Sequence, residues 1–416
     1  MTRTVQTTRA EPDPQPGRET TALLRVGVVG FGQRAQLWHE AHRPDDAVRP
    51  SRVVAVCDVS ERGRSDARSA LPDALVTSDL AALLDAVDAV LITTPDDQHV
   101  AVALAALRAG VAVFCEKPLA ITVADCDEIL QTAYATGTRL YVGHNMRHMP
   151  VVTQLRGLIT SGRIGAVKAI WCRHFVGHGG DYYFKDWHAD RRRTTSLLLQ
   201  KGAHDLDVIH WLGGGSGRVV SALGGLTLYG DLPDRTDRTD QRVAEWLSTD
   251  NWPPTSQTGL NPVVDVEDLS MLLMRLDNGV YASYQQCHYT PDYWRNYTVI
   301  GTAGRIENLG DSPGGQIAVW DRRHDGYAPP DELISIGGAT GGHGADGHGG
   351  ADPLLIAEFL RFAADGGPTA TSPVAARDAV AVGCVATDSL RSGGGALLVP
   401  PVDPALAAYF AAGQVR

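Results

Sequence analysis

Short apolar runs alternate with helical stretches along the first third of the chain, from about residue 23 to residue 142. The runs LLRVGVVG, RVVAVCD, DAVLITTP and VAVFCEKP are nearly continuous, without regular polar interruption. Strands have this composition when helices cover both faces of a parallel sheet. Strand–helix alternation sustained over about 120 residues therefore predicts a doubly wound α/β domain, which we assign to residues 23–145.

The pattern changes after His144. The segment SLLLQKGAHDLDVIHWLGGG predicts a buried helix that ends at glycines, and several β-rich segments follow it. Asp-Asn-Gly at 277–279 lies between two of these segments and is a hairpin-turn signal. Residues 146–416 are thus predicted to form an α+β domain with an antiparallel or mixed sheet. Residues 231–260 are polar and predict a long loop or arm, and 337–350 form a Gly-His loop.

Charge and cysteine content exclude several classes of protein. The net charge of −11 disfavours binding to nucleic acid or to an anionic membrane by bulk charge. The longest apolar runs fall short of the ~20 residues that a membrane span requires. The six cysteines stand singly, which is typical of a reducing, cytoplasmic compartment. The polar residues 1–22 contain no hydrophobic segment, so they predict a disordered tail and not a secretory signal.

A glycine motif follows the first apolar run. Residues 30–35 read Gly-Phe-Gly-Gln-Arg-Ala, which fits G-x-G-x-x-G/A between a strand and a helix. Gly30 would permit the tight turn, Gly32 would let a pyrophosphate approach, and the helix N-terminus would receive the phosphates. This context predicts a dinucleotide site; a tight strand–helix turn without a ligand is the competing interpretation.

The end of the second apolar run bears on the type of dinucleotide. Asp58 stands there, where a carboxylate would accept hydrogen bonds from the adenine ribose hydroxyls and repel a 2′-phosphate. Asp58 favours NAD over NADP. Arg62 and Arg64 lie close by and make this preference less secure, because either could reach a phosphate.

Two further strand ends carry polar residues on the rim where ligands bind in open α/β sheets. Glu116-Lys117-Pro118 directly follows the run VAVFC. Burial could lower the pKa of a lysine held there, which could then act on a substrate hydroxyl. Thr94 and Pro95 end the preceding strand, and His99 begins a helix after them, as a structural or cofactor-contact residue.

Together these motifs resemble the glucose–fructose oxidoreductase / inositol 2-dehydrogenase / MocA (Gfo/Idh/MocA) family. The matching strings are GVVGFGQRA, CDVS, ITTPDDQH, CEKPLA, VGHNMRHMP, GAHDLDVIHWLGG and VIGTAGRIEN, in family order from about residue 24 to residue 309. The resemblance implies an N-terminal Rossmann domain and a C-terminal α+β domain with a large open, mainly antiparallel sheet. It also implies hydride transfer between NAD(P) and a sugar or polyol, and a homodimer or homotetramer.

The resemblance implies Lys117 and His204 as the catalytic residues, with histidine as acid/base and lysine as its electrostatic partner, or with these roles exchanged. Many members have Asp four residues before that histidine, where this chain has Gln200 followed by Lys201. Either Lys117 and His204 suffice, or Lys201 takes a role. The predicted cofactor contacts are Gly30, Phe31, Gly32, Gln33, Arg34, Asp58, Thr94, Pro95, His99, Glu116, Lys117 and Asn145.

Weaker signals surround this set. Trp187, Lys201, Asp207 and His348 are candidate substrate contacts, and each has a packing, capping or loop interpretation beside it. His174 and His178 are four apart, but the string AIWCRHFVGH reads as a strand, so we predict no metal site. Arg147 is interpreted as purely structural.

The sequence thus predicts an NAD(P)-dependent oxidoreductase that acts on a hydroxyl or carbonyl of a sugar, cyclitol or related polyol. A redox-neutral glycoside hydrolase, which would oxidise, eliminate, hydrate and reduce on tightly held NAD, is the alternative. A third hypothesis is that the protein is a non-catalytic dinucleotide-binding regulator. The presence of both Lys117 and His204 disfavours this hypothesis.

Overall fold

The computed structural model describes residues 22–248, 250–337 and 349–415. The predicted tail and most of the Gly-His loop, including His348, lie outside the described residues. Among those described, no helix is both long and apolar enough to cross a membrane.

The first sheet has six parallel strands in the order β3-β2-β1-β4-β5-β6. This order is that of a doubly wound dinucleotide-binding sheet, and it confirms the predicted fold class. The short edge strand β3 was not foreseen from the sequence. The elements are β1 Leu24–Val29, α1 Trp38–Ala41, β2 Ser51–Cys57, α2 Glu61–Ala70, β3 Leu75–Thr77, α3 Leu80–Leu84, β4 Ala89–Ile92, α4 His99–Arg108, β5 Ala112–Cys115, α5 Val123–Thr136 and β6 Leu140–Val142.

Helix α5 shows how local sequence sets these boundaries. The Thr122 side chain accepts a hydrogen bond from the backbone N–H of Asp125 and caps the helix. Gly137 ends it with φ +71°, a left-handed conformation that glycine adopts without strain. The start at a threonine and the end at this glycine are as predicted.

The second sheet has nine strands in the order β14-β13-β12-β11-β7-β10-β9-β8-β15. Only β7 and β10 run parallel, so the sheet is mainly antiparallel, as predicted. The elements are α6 Pro150–Thr160, β7 Val167–Phe175, α7 Gly179–Tyr183, α8 Arg191–Thr194, α9 Leu197–Gln200, α10 Gly202–Gly213, β8 Gly217–Gly225, α11 Val243–Trp246, β9 Leu269–Leu276, β10 Tyr281–Cys287, β11 Trp294–Gly301, β12 Arg305–Leu309, β13 Gln316–Trp320, β14 Glu332–Ser335, α12 Ala351–Asp365, α13 Pro373–Arg391, β15 Leu397–Leu398 and α14 Pro404–Ala411.

Strands β9 and β10 illustrate the two faces of this sheet. The Asp277–Gly279 turn joins them, with Gly279 at φ +85°, so the predicted hairpin is present. Leu272 and Met274 are buried toward α10 and α13, whereas Leu273 is 65% exposed on the other face. Helices therefore cover one face of the sheet, and the opposite face is open.

The predicted helix around residues 196–214 is divided into α9 and α10, with Lys201 between them. The division places Gln200, Lys201 and His204 at one helix junction. Gly214 ends α10 in a left-handed conformation, as its sequence predicts.

The C-terminal helices do not all pack within the second domain. Phe359 of α12 packs against Phe114 and Tyr141 in the core of the first sheet. Tyr409 and Phe410 of α14 join the core on its other side. The division at residue 145 remains a prediction, and parts of the later chain complete the first domain's core.

Candidate active site

The glycine turn after β1 is fixed by its neighbours. Gly30 has φ +86°, and a Cβ there would lie 2.8 Å from the backbone nitrogen of Thr94. Its own N–H donates to the Cys57 carbonyl at 2.9 Å, and its carbonyl accepts from the Thr93 hydroxyl at 2.6 Å. Glycine is required here because two strand ends close on the turn.

The next three residues leave backbone donors available. Within the described chain, the N–H groups of Gly32, Gln33 and Arg34 donate no hydrogen bond, and Gly32 begins the helical turn without a side-chain cap. A Cβ on Gly32 would meet nothing within 4 Å. Free N–H groups at an open helix start suit the pyrophosphate of a dinucleotide.

Asp58 lies beside this turn, where the predicted ribose contact belongs. One carboxylate oxygen accepts from the Phe31 N–H at 2.6 Å, and the other accepts from the N–H and hydroxyl of Ser60 at 2.7 Å. A Cβ on Gly63 would lie 2.4 Å from the Asp58 carboxyl, so this glycine makes room for it. The carboxylate is held in place at the start of α2.

An ion-pair network ties the glycine turn to the EKP segment. Arg34 donates to Glu116 at 2.6 Å and to Asp352 at 2.7 Å. Asn145 donates to the same Asp352 carboxylate at 3.0 Å, and its amide oxygen is buried with no partner among the described residues. Arg34, Glu116 and Asn145, all predicted cofactor contacts, are therefore linked in one network, in which Arg34 pairs with both Glu116 and a carboxylate from α12.

His99 joins two of the predicted segments. Its Nδ1 lies 2.7 Å from the Pro118 carbonyl and its Nε2 lies 3.1 Å from the Thr94 carbonyl. Burial opposes the charge, but Cys115, Asp96 and the Pro118 carbonyl raise the pKa of His99 to about 10. A histidine between two carbonyl acceptors donates from both nitrogens only as the cation. His99 therefore links the Thr94 backbone to the backbone of Pro118, the residue that follows Lys117.

Lys117 reaches from the first domain to the second. Its Nζ donates to the carbonyl of Gln200, 3.1 Å away at the end of α9. Burial lowers the pKa of Lys117, while Asp96 and Glu116 favour its charge. Gln200 is itself buried, and its side-chain oxygen has no partner in the described residues. The cofactor rim and the α9–α10 junction meet at this contact.

Lys201 follows directly; its backbone N–H donates to the Leu197 carbonyl at 3.0 Å, and its ammonium has no hydrogen bond or ion pair among the described residues. Its Nζ lies 5.5 Å from the centre of the Tyr183 ring. Burial and the neighbouring cations Arg295 and Lys117 lower the pKa of Lys201 to about 7. His204 is three residues further on, buried in the first turn of α10. Residues at this spacing share one helix face, so Lys201 and His204 are neighbours.

Asp205 organises a buried polar cluster behind this junction. One carboxylate oxygen accepts from His174 and Tyr284, both at 3.0 Å, and the other contacts Arg295 at 3.1 Å and Tyr297. Burial opposes its charge, but Arg295 and His174 hold the pKa of Asp205 well below the usual range. The cluster fixes the start of α10 on the second sheet.

Asp207 lies in a buried network at the domain junction. Its two oxygens each accept from Arg147 at 2.7 Å, and His144 lies 3.4 Å away, all buried. This ion pair holds α10 to the segment that follows β6. Asp207 as a substrate contact and Arg147 as a structural residue both remain predictions.

The aromatic segment before α9 lies near the rim. Trp187 stacks on His188 with ring centres 3.8 Å apart. The guanidinium carbon of Arg193 lies over the Trp187 ring, 5.8 Å from its centre. Tyr182 donates to the Gln33 side chain at 2.7 Å and so connects this segment to the glycine turn. In the described ranges no group of three potential metal ligands is found, and His174 lies on strand β7.

Sequence reasoning missed Asp96, Asp205, His288 and Arg295. A signal for one of them, His288, exists in strand parity. Along β10 and the residue that follows it, the buried positions run Ala282, Tyr284, Gln286 and His288, so the inward face turns polar at the end near Lys201. Asp96 offered no such signal, because it lies in a short turn.

Comparisons with known proteins agree with this geometry. Residues 24–144 match the NAD-binding Rossmann-fold domain of the Gfo/Idh/MocA oxidoreductase family, and residues 152–307 match a C-terminal domain of that family. The Bacillus subtilis oxidoreductase YteT is 27% identical over 309 residues, which cover 66% of this chain and 72% of that protein.

Two further similarities are more limited. Inositol 2-dehydrogenase of Salmonella paratyphi B is 32% identical over 193 residues, 45% of this chain and about half (54%) of that enzyme's length. A levoglucosan dehydrogenase in complex with NADH and levoglucosan shares the fold with a TM-score of 0.71 at 20% identity, over 91% of this chain and 100% of that one. On the two domain matches, this chain belongs to the Gfo/Idh/MocA oxidoreductase family, with an NAD-binding Rossmann domain.

Proposed function

We propose that this protein is an NAD-dependent dehydrogenase or reductase of a sugar, cyclitol or related polyol. The contact between Lys117 and the Gln200 carbonyl carries the proposal. It brings a lysine from the NAD-binding rim to the helix junction that bears Lys201 and His204. A substrate hydroxyl between these groups would face the cofactor and a proton acceptor together.

The dinucleotide would be held by the groups described above. The free N–H groups of Gly32, Gln33 and Arg34 suit the pyrophosphate, and Asp58 suits the adenine ribose. Thr94 and Asn145 have buried oxygens without described partners, on the side toward Lys117. When bound, NAD supplies the acceptor or donor of a hydride at its nicotinamide ring.

The protein's own residues would manage the proton. Lys117 donates a hydrogen bond to the substrate oxygen and stabilises negative charge that develops there. His204 accepts the hydroxyl proton during oxidation and returns it during reduction, as a histidine can near neutral pH. Lys201 stands beside His204 and sets the local charge. Asp205 and its partners hold the helix that carries His204.

The choice of substrate class rests on chemistry and on relatives. The lysine, histidine, tyrosine and glutamine side chains gathered at this junction would offer many hydrogen bonds to a polyhydroxylated molecule. Two relatives are named for inositol and levoglucosan, which are both polyhydroxylated. Trp187 and Lys201 are the proposed substrate contacts among the described residues.

The test follows nicotinamide absorbance as purified protein meets NAD and a panel of sugars, cyclitols and glycosides. Steady accumulation of NADH with one class is the expected result. Lys117→Met should then lower kcat/KM by about 10²–10³-fold, because the substrate oxygen loses its donor. Lys168→Met is the matched control, since Lys168 lies exposed on β7 and should change nothing.

Two results would contradict this function. Release of free sugar from a glycoside without accumulation of NADH would instead identify a redox-neutral hydrolase. Binding of NADH without turnover of any compound, unchanged in Lys117→Met, would identify a dinucleotide-binding regulator. Thermal unfolding of each variant would exclude simple loss of fold.

We also propose a homodimer or homotetramer that assembles through the open face of the nine-stranded sheet. Trp171, Leu223, Leu273 and Tyr281 lie on that face, and each is more than half exposed. A cluster of large apolar side chains on a flat sheet is typical of an interface, and closed symmetric assembly is the common outcome for identical chains.

A cytoplasmic location is proposed on the state of the cysteines. All six are free, and four of them are buried. Buried free thiols persist in a reducing compartment.

A further inference from the structure

The arm predicted at residues 231–260 lies against the adenosine end of the dinucleotide site. Helix α11 within it contacts α2, the helix that begins directly after Asp58. Arg62 of α2 pairs with the Glu245 carboxylate and donates to the Asp240 carbonyl. Arg242 of the arm pairs with Asp66 on the next turn of α2. The second domain thus holds the same helix that positions the predicted ribose contact.

These contacts bear on the two arginines that made the preference for NAD less secure. Arg64 folds back on its own turn, where it donates to the carbonyls of Asp58 and Val59 and pairs with Glu61 at 2.6 Å. Of the two arginines in the first turn of α2, Arg62 is therefore the one whose guanidinium could reach a 2′-phosphate. An arginine near the ribose is the usual means by which this fold accommodates NADP.

We propose that Glu245 makes the arm a determinant of cofactor specificity, by holding Arg62 away from the position of a 2′-phosphate. The Glu245 carboxylate acts twice: it occupies the Arg62 guanidinium, and it adds a negative charge beside that guanidinium. Both effects oppose a phosphate and leave a ribose hydroxyl unaffected. The inference rests on the proposed NAD-dependent function, and it assigns part of the NAD preference to a residue outside the Rossmann domain.

The pair is suited to selectivity more than to stability. Arg62 and Glu245 are both partly exposed, with 36% and 45% of their side-chain surface accessible. Exposed ion pairs contribute little to folding, so Glu245 can be changed without loss of the fold. A phosphate that carries two charges would still compete strongly for a freed guanidinium.

The experiment measures dissociation constants of NADH and NADPH by nicotinamide fluorescence for the full-length protein and its variants. Glu245→Gln should strengthen NADPH binding about tenfold and leave NADH binding within about twofold. Adding Arg62→Gln to Glu245→Gln should restore the original NADPH affinity. Arg62→Gln alone should have little effect, because the arginine is already withdrawn.

Arg242→Gln is the matched control, since it removes the arm's other ion pair with α2 and leaves Arg62 paired. It should leave the ratio of the two affinities unchanged. An unchanged ratio in Glu245→Gln, or equal weakening of both nucleotides, would overturn the inference while the proposed function stands. Failure of the unmodified protein to bind NADH would overturn the proposed function and this inference together.

Discussion

Lys201 lies in surroundings that are unusual for a lysine. Its ammonium lies against an aromatic ring and near the cations of Arg295 and Lys117, without an ion pair among the described residues. Burial and these like charges lower the pKa of Lys201 to about 7. The lysine therefore changes charge near neutral pH, beside His204, the proposed proton acceptor.

The pH dependence of oxidation should report this change. Below about pH 7 the charged Lys201 makes protonation of His204 unfavourable, because like charges repel. As pH rises through that value the lysine becomes neutral and kcat/KM for oxidation should rise. In Lys201→Met the charge is absent at every pH, so the profile should flatten while turnover persists. Steady-state kinetics at several pH values, on the substrate found with the panel, checks this.

His204→Gln is the companion variant and should lose turnover across the whole range. If Lys201→Met instead loses turnover at every pH, Lys201 is itself the proton acceptor and the assignment to His204 is wrong. If kcat/KM for oxidation still rises near pH 7 in Lys201→Met, another titrating group produces that rise.

At this scale the sequence predicted residues where a motif gives the position. Gly30, Asp58, Lys117 and His204 lie at strand or helix ends that the pattern of apolar runs locates. Partners that arrive from distant elements could not be predicted. Arg34 meets Asp352 across 318 positions, and only the folded chain brings them together.

Among the elements, α10 connects the chemistry to the framework. Its first turn bears His204, and its next residues bear Asp205 and Asp207, whose side chains enter separate buried networks. Asp207 fastens the helix to Arg147, beside the end of the first sheet. A helix held at two points keeps its N-terminal residues in fixed positions, which catalysis requires.

Removal of one of the two side-chain attachments of α10 should destabilise the protein measurably. Asp207→Asn leaves Arg147 buried without a counter-charge and should cost about 3 kcal/mol at pH 7. Burial opposes ionisation, but Arg147 and His144 hold the pKa of Asp207 far below its usual value. The stabilisation is therefore complete above about pH 4, the unfolded-state value, and is lost as pH falls further. Urea unfolding at pH 7 and at lower pH measures it.

The difference in free energy of unfolding between Asp207→Asn and the unmodified protein should become smaller below about pH 4. Asp277→Asn is a suitable control, because Asp277 lies in an exposed hairpin turn and its loss should cost little. A constant difference across pH would mean that the carboxylate charge is not the source of the stability.

The elements themselves were predicted unevenly. Long apolar runs and capped helices such as α5 follow from local sequence, because their periodicity and their caps are local. The division between α9 and α10 did not follow, since the string around Gln200 and Lys201 is continuously compatible with helix. Tertiary contacts, among them the hydrogen bond of Lys117 to the Gln200 carbonyl, accompany that division.

For the whole molecule, the two sheets are joined by side chains that cross between the domains in both directions. Lys117 reaches forward to Gln200, while Phe359 and Phe410 return to the core of the first sheet. Both sheet types were predicted. The return of the C-terminal helices was not, because an apolar helix face does not specify which of two sheets it will cover.

The open face of the second sheet is an apolar surface without a partner in the described chain. Leu273 is 65% exposed on β9, which lies between β8 and β10 in this sheet. Leu273→Arg should reduce the mass of the protein in solution, by light scattering, from that of an oligomer toward 44.4 kDa, because a buried unpaired charge disrupts an interface. Leu354→Arg is the control, since Leu354 is 51% exposed on α12, away from this sheet. A mass of one chain before any substitution would contradict the proposed assembly, and an unchanged oligomer in Leu273→Arg would place the interface on another surface.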